Sequence, residues 1–328
     1  MRLLVAGGAG FIGSNFARLR AAEHGDDVVV LDKLTYAGRC ESLRDVAHTF
    51  VHGAIEDPAA VAEAIEGADA IVNFAAETHV DRSISEPDAF VRTQMEGTYV
   101  LLEAARERGL RYVQVSTDEV YGSIAEGSFT EASPLRPSSP YSATKAGADL
   151  LVGSYVHTYG LEAAIVRGAN NYGPFQYPEK LIPLMVLNAL HGDALPVYGD
   201  GLQVRNWLYV EDFARAIGVV LADGAPGETY NAGGPDEVAN LDVVRRIVAL
   251  TGADPGRVEH VTDRPGHDRR YSLGSDKLRA LGWDARVGFA EGLERTVAWY
   301  RDAAWWWEPI RSGEYRAYYE RQYGRALG

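Results

Sequence analysis

The sequence predicts an α/β protein of the Rossmann type, a doubly wound parallel sheet with a smaller C-terminal α/β substrate lobe. Two observations lead there. Short apolar runs of strand character, at 2–6, 27–31, 49–52, 70–74, 112–115 and 163–167, alternate with helical patterns near 11–23, 57–66, 87–108 and 141–159. That rhythm belongs to βαβ units around a parallel sheet. A glycine-rich turn, Gly7-Gly8-Ala9-Gly10-Phe11-Ile12-Gly13, joins the first run to the first helix. Beyond Gly168 the pattern is irregular and rich in Pro and Gly turns. A dinucleotide-binding domain is therefore expected over 1–168, with chain from about 204–235 returning to it, and the lobe over 169–203 and 236–328.

The glycine turn lies in the context that a dinucleotide fingerprint requires. Its glycines let the backbone approach a pyrophosphate, whose charge meets N–H groups at the helix N-terminus. A glycine-rich turn alone is equally a structural device. Asp32 adds weight: it ends the second strand, 19 residues after Gly13, where an acid hydrogen-bonds ribose hydroxyls. A carboxylate there repels a 2′-phosphate, so NAD is expected rather than NADP. Lys33 softens that discrimination, and its plain reading is a solvated loop lysine. Gly7, Gly10, Phe11, Ile12, Gly13, Asp32 and Lys33 are the candidate cofactor residues of this region.

The chemistry is concentrated between Ser116 and Lys145, which reads S-T-D-E-V-Y-G at its start and Y-S-A-T-K at its end. The apolar run at 112–115 places Thr117, Asp118 and Glu119 at the C-terminal end of a buried strand, where ligands of open α/β sheets collect. Tyr141 and Lys145 stand four apart at the start of a helix and share one face. Alone, Y-x-x-x-K is a common surface pattern and T-D-E a common helix cap. Together, downstream of the glycine turn, they suggest a site that moves a hydride and several protons.

Composition narrows the function classes. The 328 residues are 46% hydrophobic, no apolar run approaches the roughly 20 residues of a membrane span, and the first strand leaves no room for a signal peptide. One cysteine, Cys40, excludes an intramolecular disulfide. A cytoplasmic location is expected. The net charge of −14 and the lack of a basic run argue against nucleic acid. Lysine is scarce: Lys33, Lys145, Lys180 and Lys277 are the only four, and three lie in motifs singled out here.

On these motifs the chain resembles the extended short-chain dehydrogenase/reductase family, and within it the nucleoside-diphosphate-glucose 4,6-dehydratases. Asp32-Lys33-Leu34-Thr35-Tyr36-Ala37-Gly38, Glu77-Thr78-His79-Val80-Asp81-Arg82-Ser83, Asn170-Asn171-Tyr172-Gly173-Pro174, Pro178-Glu179-Lys180-Leu181-Ile182-Pro183 and Arg264-Pro265-Gly266-His267-Asp268-Arg269-Arg270-Tyr271 carry the likeness. It implies NAD as cofactor, with Ile55, Tyr141 and Lys145 also touching it, and a nucleotide-sugar substrate, dTDP-glucose first. It also implies a scheme. Tyr141, as phenolate favoured by the Lys145 and nicotinamide charges, takes the proton of the sugar 4-hydroxyl as hydride leaves carbon 4, with Thr117 hydrogen-bonded to the same hydroxyl. Glu119 then removes the carbon 5 proton, protonated Asp118 donates to the leaving 6-hydroxyl, and hydride returns to carbon 6. Adjacent carboxylates in unlike surroundings can supply both acid and base. No metal is expected.

By the same resemblance His79, Asn170, Lys180, Leu181, Pro196, Tyr198, Arg205, Asn240, Arg264 and His267 are candidate substrate residues, and the helices near 87–108 and 141–159 would pair in a homodimer. The tail at 299–323, with Trp305-Trp306-Trp307, folds over the nucleotide site in relatives, although core packing is the default for such aromatics. Several positions depart from the family pattern. Ala54 stands where relatives place an aspartate that accepts from adenine, which predicts weaker NAD binding. Gln94 replaces a structural asparagine, and Asn206 and Phe213 stand where an acid and a histidine are frequent. The readings left open are a dehydratase of another nucleotide-sugar, a nucleotide-sugar 4-epimerase, and a silent NAD- or nucleotide-sugar-binding protein.

Overall fold

The computed structural model describes residues 1–263, 267–312 and Tyr319. Its strands are β1 (Arg2–Ala6), β2 (Asp27–Asp32), β3 (His48–His52), β4 (Ala70–Asn73), β5 (Arg111–Thr117), β6 (Ala163–Gly168), β7 (Asn170–Tyr172), β8 (Leu195–Tyr198), β9 (Val204–Tyr209), β10 (Thr229–Ala232), β11 (Asp236–Ala239) and β12 (Val258–Val261). Seven of them form one parallel sheet in the order β10-β6-β5-β4-β1-β2-β3. The chain direction across the sheet reverses between β1 and β4, which opens a crevice at their carboxyl ends.

Alternation along the strands explains the layers. In β1, Leu3 and Val5 pack on one face with Phe16, Ala17 and Ile217, whereas Leu4 and Ala6 pack on the other with Val61, Leu101 and Val152. Both faces are thus apolar and both are covered. The helices are α1 (Phe11–His24), α2 (Pro58–Ala64), α3 (Val80–Ser85), α4 (Pro87–Val91), α5 (Thr98–Arg108), α6 (Pro140–Tyr159), α7 (Leu181–His191), α8 (Val210–Asp223), α9 (Asn240–Thr251), α10 (Asp276–Arg279), α11 (Phe289–Asp302) and α12 (Ala304–Arg311). Helices α1 and α8 supply the first cover, and α2, α5 and α6 the second.

The helix expected over 87–108 is broken. Between α4 and α5, Arg92–Gly97 forms a π-helical turn. Side-chain bonds hold this wider turn: the buried Gln94 amide donates to the Glu77 carbonyl (2.9 Å) and accepts from the Glu77 N–H (3.4 Å). Hydrophobic periodicity does not register one such turn.

The remaining strands build the lobe. β9 pairs with β7 in parallel and with β11 antiparallel, and β8 pairs with β12. Helices α7, α9, α11 and α12 close a second core around Met185, Val244, Ile247, Leu293, Tyr300 and Trp306. Chain from β9 runs through α8 back to β10, which pairs with β6 at the edge of the large sheet.

Candidate active site

The crevice begins with the glycine turn. Gly7 has φ +75°, and a Cβ there would stand 2.5 Å from the Ala75 nitrogen; one on Gly13 would stand 2.4 Å from the Gly7 carbonyl. Gly10 starts α1 with no side-chain cap, so no side chain competes with an anion for the first-turn N–H groups. Asp32 accepts from the Ala9 N–H (2.9 Å) and the Leu34 N–H (2.8 Å), although burial raises its pKa. A glycine cradle, a helix N-terminus and a fixed acid at the end of β2 fit a dinucleotide without a 2′-phosphate.

Lys33 is tied rather than solvated. It donates to Glu56 (3.1 Å) and Thr93 (2.8 Å) and lies 3.8 Å from Glu77. Gly53 and Ile55 line the crevice on this side, and Glu56 follows them. Ala54 brings only a methyl group to that loop.

The chemical groups stand where β5 ends. Thr117 donates to Asp118 (3.2 Å) and accepts from the Glu119 N–H (3.3 Å), within the turn Asp118–Tyr121. Burial, then the charge of Glu119, pushes Asp118 up to about 8, against Arg205 and the Thr117 bond. Asp118 therefore carries a proton at neutral pH, and its Oδ2 is buried with no hydrogen-bond partner among the described residues.

Opposite, Ser139 and Ser142 form a capping box and Pro140 opens α6, so Tyr141 and Lys145 occupy its first two turns. Burial pushes the Tyr141 phenol far up, with Glu119 next, and a Thr117 hydrogen bond opposes this. Lys145 donates to the Val115 carbonyl (2.6 Å), and burial pushes it down to about 8 against the charge of Asp149. Among the protein's own groups, burial and Glu119 are the largest influences on the phenol, and both favour its protonated form.

Thr117, Asp118, Glu119, Tyr141, Lys145, Asn170 and Lys180 line the same crevice as Gly7, Gly10, Phe11, Ile12, Gly13, Asp32, Lys33 and Ile55. Lys180 caps α7 and donates to the Thr78 carbonyl (2.7 Å). His79 is buried 3.9 Å from Glu179, which also accepts from Tyr36 (2.8 Å); Leu181 opens α7. The other expected substrate residues lie on the lobe beyond this lining. Pro196 and Tyr198 are on β8, and the Tyr198 ring meets His267 edge-on at 6.2 Å. His267 lies 2.6 Å from Asp263, Arg205 donates to the Asp268 carbonyl (3.0 Å), and Asn240 begins α9. Arg205 connects the two groups, since its charge acts on Asp118. Arg264 lies outside the described residues.

Sequence reasoning passed over Glu56, Thr93, Asn171, Tyr177 and Glu179 as lining. The last had a signal: it lies inside the P-E-K-L-I-P motif. Two departures have structural roles. Asn206 accepts from the Gly234 N–H (2.9 Å) and donates to the Gly234 carbonyl (2.8 Å), which braces that turn. Phe213 fills the space over Gly168, where a Cβ would stand 2.5 Å from its ring. In the tail, Trp306 is buried and donates to Ser42 (3.0 Å), as core packing requires.

The family described as GDP-mannose 4,6 dehydratase matches residues 4–296. The chain is 53% identical over 323 residues to the dTDP-glucose 4,6-dehydratase of Streptomyces niveus, covering 95% of this chain and 96% of that one. The crystal structure of DesIV, a dTDP-glucose 4,6-dehydratase from Streptomyces venezuelae with NAD and TYD bound, is 52% identical with a TM-score of 0.92, covering 94% and 100% of the two chains. A UDP-glucose 4-epimerase of Thermus thermophilus in complex with NAD is more distant, at 33% identity and a TM-score of 0.87 over 92% and 100%. Matched by its sequence along nearly all its length and by a Rossmann sheet ending in a dinucleotide cradle, the chain belongs to the GDP-mannose 4,6-dehydratase family of extended short-chain dehydrogenase/reductases.

Proposed function

We propose that the protein is an NAD-dependent lyase that converts dTDP-glucose to dTDP-4-keto-6-deoxyglucose. The observation that carries the reading is the buried Asp118 carboxyl beside Glu119, in one crevice lining with Tyr141, Thr117 and the dinucleotide cradle, where burial and the Glu119 charge favour its protonated form. An elimination across two carbons needs a proton donor and a proton acceptor together, and the similarity to dTDP-glucose 4,6-dehydratases supports that chemistry.

Bound NAD supplies the hydride acceptor and donor. Gly7, Gly10, Phe11, Ile12 and Gly13 hold its pyrophosphate, Asp32 its ribose, and Lys33 and Ile55 flank the adenosine side. Tyr141 takes the proton of the sugar 4-hydroxyl, which Thr117 orients; a bound nicotinamide would supply positive charge that favours the phenolate. The 4-ketone acidifies carbon 5, Glu119 removes that proton, and Asp118 protonates the departing 6-hydroxyl. Lys145, fixed on the Val115 carbonyl one turn beyond Tyr141 on α6, supplies the positive charge of this end of the crevice. Asn170, Lys180 and Leu181 receive the sugar and diphosphate together with His79, and Pro196, Tyr198, Arg205, Asn240, Arg264 and His267 receive the nucleoside end.

The enzyme is expected in the cytoplasm as a homodimer. Among the described residues no helix is long and apolar enough to cross a membrane. Val91, Tyr99, Leu150 and Tyr159 are each at least half exposed on α4, α5 and α6, an apolar surface suited to a second copy. Light scattering that finds a monomer removes that part. The activity is tested by mass spectrometry of dTDP-glucose incubated with the protein and NAD in heavy water. Loss of one water with one deuterium at carbon 5 is expected; a galactose isomer without deuterium, or unchanged sugar, overturns the reading.

A further inference from the structure

Behind the wall of the crevice lies a buried polar chain that the reaction scheme does not use. Asp149, one turn beyond Lys145 on α6, accepts from Arg167 Nε (2.9 Å) and from Ser116 Oγ (2.9 Å) through the same Oδ2. Arg167 lies on β6 and donates onward to the Tyr121 hydroxyl (2.7 Å), which donates to Asn231 Oδ1 on β10 (2.9 Å). All five side chains are buried. Ser116 immediately precedes Thr117, and Tyr121 closes the turn that carries Asp118 and Glu119. The chain thus joins the acid turn, the end of β5 and the Tyr141–Lys145 helix.

A buried ion pair is a poor stabiliser, because desolvation offsets its attraction and an apolar pair of similar volume does as well. Its placement is better explained by geometry and charge at the neighbouring site. We propose that Asp149, anchored by Arg167, is a positioning residue that ties the acid turn to the catalytic helix and serves as the counter-charge to Lys145. The charged groups that act on Tyr141 and Lys145 are Asp118 and Glu119 from the turn and Asp149 on α6, with Arg167 of β6 paired to Asp149 behind them. Of these, Asp149 is the one that opposes the effect of burial on Lys145. It keeps the ammonium charged where burial alone favours the neutral amine. The kinetic part of this inference rests on the dehydratase reading; the titration part does not.

With four lysines in the chain, 13Cε-lysine labelling gives four resonances to follow by NMR, and Lys145→Arg identifies the one of interest. Its midpoint is expected at about 8 in the native protein and about one pH unit lower in Asp149→Asn. If Asp149→Asn does not fold, Asp149→Asn/Arg167→Gln removes both charges; losing the more remote cation partly offsets losing Asp149, so a smaller downward movement is expected. A midpoint unchanged from native, or raised, in either folded variant overturns the counter-charge. Ser116→Ala cuts only the tie to β5: kcat for dTDP-glucose should fall about fivefold with KM unchanged, in proportion to about 1 kcal/mol for one hydrogen bond. Unchanged kcat overturns the tie. If the native protein leaves dTDP-glucose untouched, the dehydratase reading fails while the lysine titration still decides the counter-charge.

Discussion

Asp118→Asn should make the protein more stable at neutral pH while it disables the site. Burial, then the Glu119 charge, pushes the Asp118 carboxyl from its ordinary 3.8 up to about 8. The folded protein therefore holds a proton that the unfolded chain releases throughout that interval, and stability falls as pH rises from 3.8 to about 8. At about 1.4 kcal/mol per pH unit, the penalty is about 2 kcal/mol at pH 5 and about 4 kcal/mol at pH 7. Asparagine has nearly the same shape, keeps an oxygen for the Thr117 hydroxyl and has no charge to desolvate. Urea unfolding followed by tryptophan fluorescence should show Asp118→Asn ahead of native by up to these amounts, with the gain growing between pH 5 and 7. Dehydration should drop by about 10²–10⁴, the worth of a general acid. A gain that is absent, or equal at both pH values, would show that Asp118 is not held protonated by its surroundings.

Three further outcomes are expected. Tyr141→Phe should lower kcat by about 10³ while NAD affinity, read by fluorescence quenching, stays within about threefold; turnover near native would remove the phenol from the chemistry. Ala54→Asp should tighten NAD by about tenfold or more, as a charged hydrogen bond to the adenine amino group contributes about 1.5–3 kcal/mol; isothermal calorimetry with unchanged affinity would refute the assignment. Gly13→Ala should abolish NAD binding, because its methyl would meet the Gly7 carbonyl at 2.4 Å and force the cradle open; a folded variant with native affinity would show that the turn does not hold the pyrophosphate.

The parts of the fold and site that were legible in the sequence are those encoded locally. Six strands and the positions of α1 and α6 follow from apolar runs and caps, and the glycine turn with Asp32 follows from spacing. The side chains of the T-D-E turn and of Tyr141 and Lys145 meet because both motifs lie at the same end of neighbouring elements, which the βαβ rhythm already implies. What escaped is long-range. Tyr36 meets Glu179 across 143 residues, and Lys33 finds Thr93 across 60; no periodicity links such pairs. The state of the Tyr141 phenol was equally hidden, since burial, not the nearby lysine, dominates it. Gln94 could be marked as unusual from the motif, but its grip on both the N–H and the carbonyl of Glu77 became visible only with the π-helical turn.

That turn bears on how this chain tolerates changes in length. A π-helical turn is one residue more than an α-helix needs, so deleting a single residue within Arg92–Gly97 would restore a regular helix. Because the bulge absorbs that residue locally, α4 and α5 would stay close to their present faces, and the loss would fall on the turn itself. Thr93 and Gln94 lie inside the turn, and its tightening would draw them away from Lys33 and Glu77. Loops such as the one around Gly127 can gain or lose residues at little cost, but here a deletion of one codon, with no change of residue type, would dismantle one wall of the cofactor crevice.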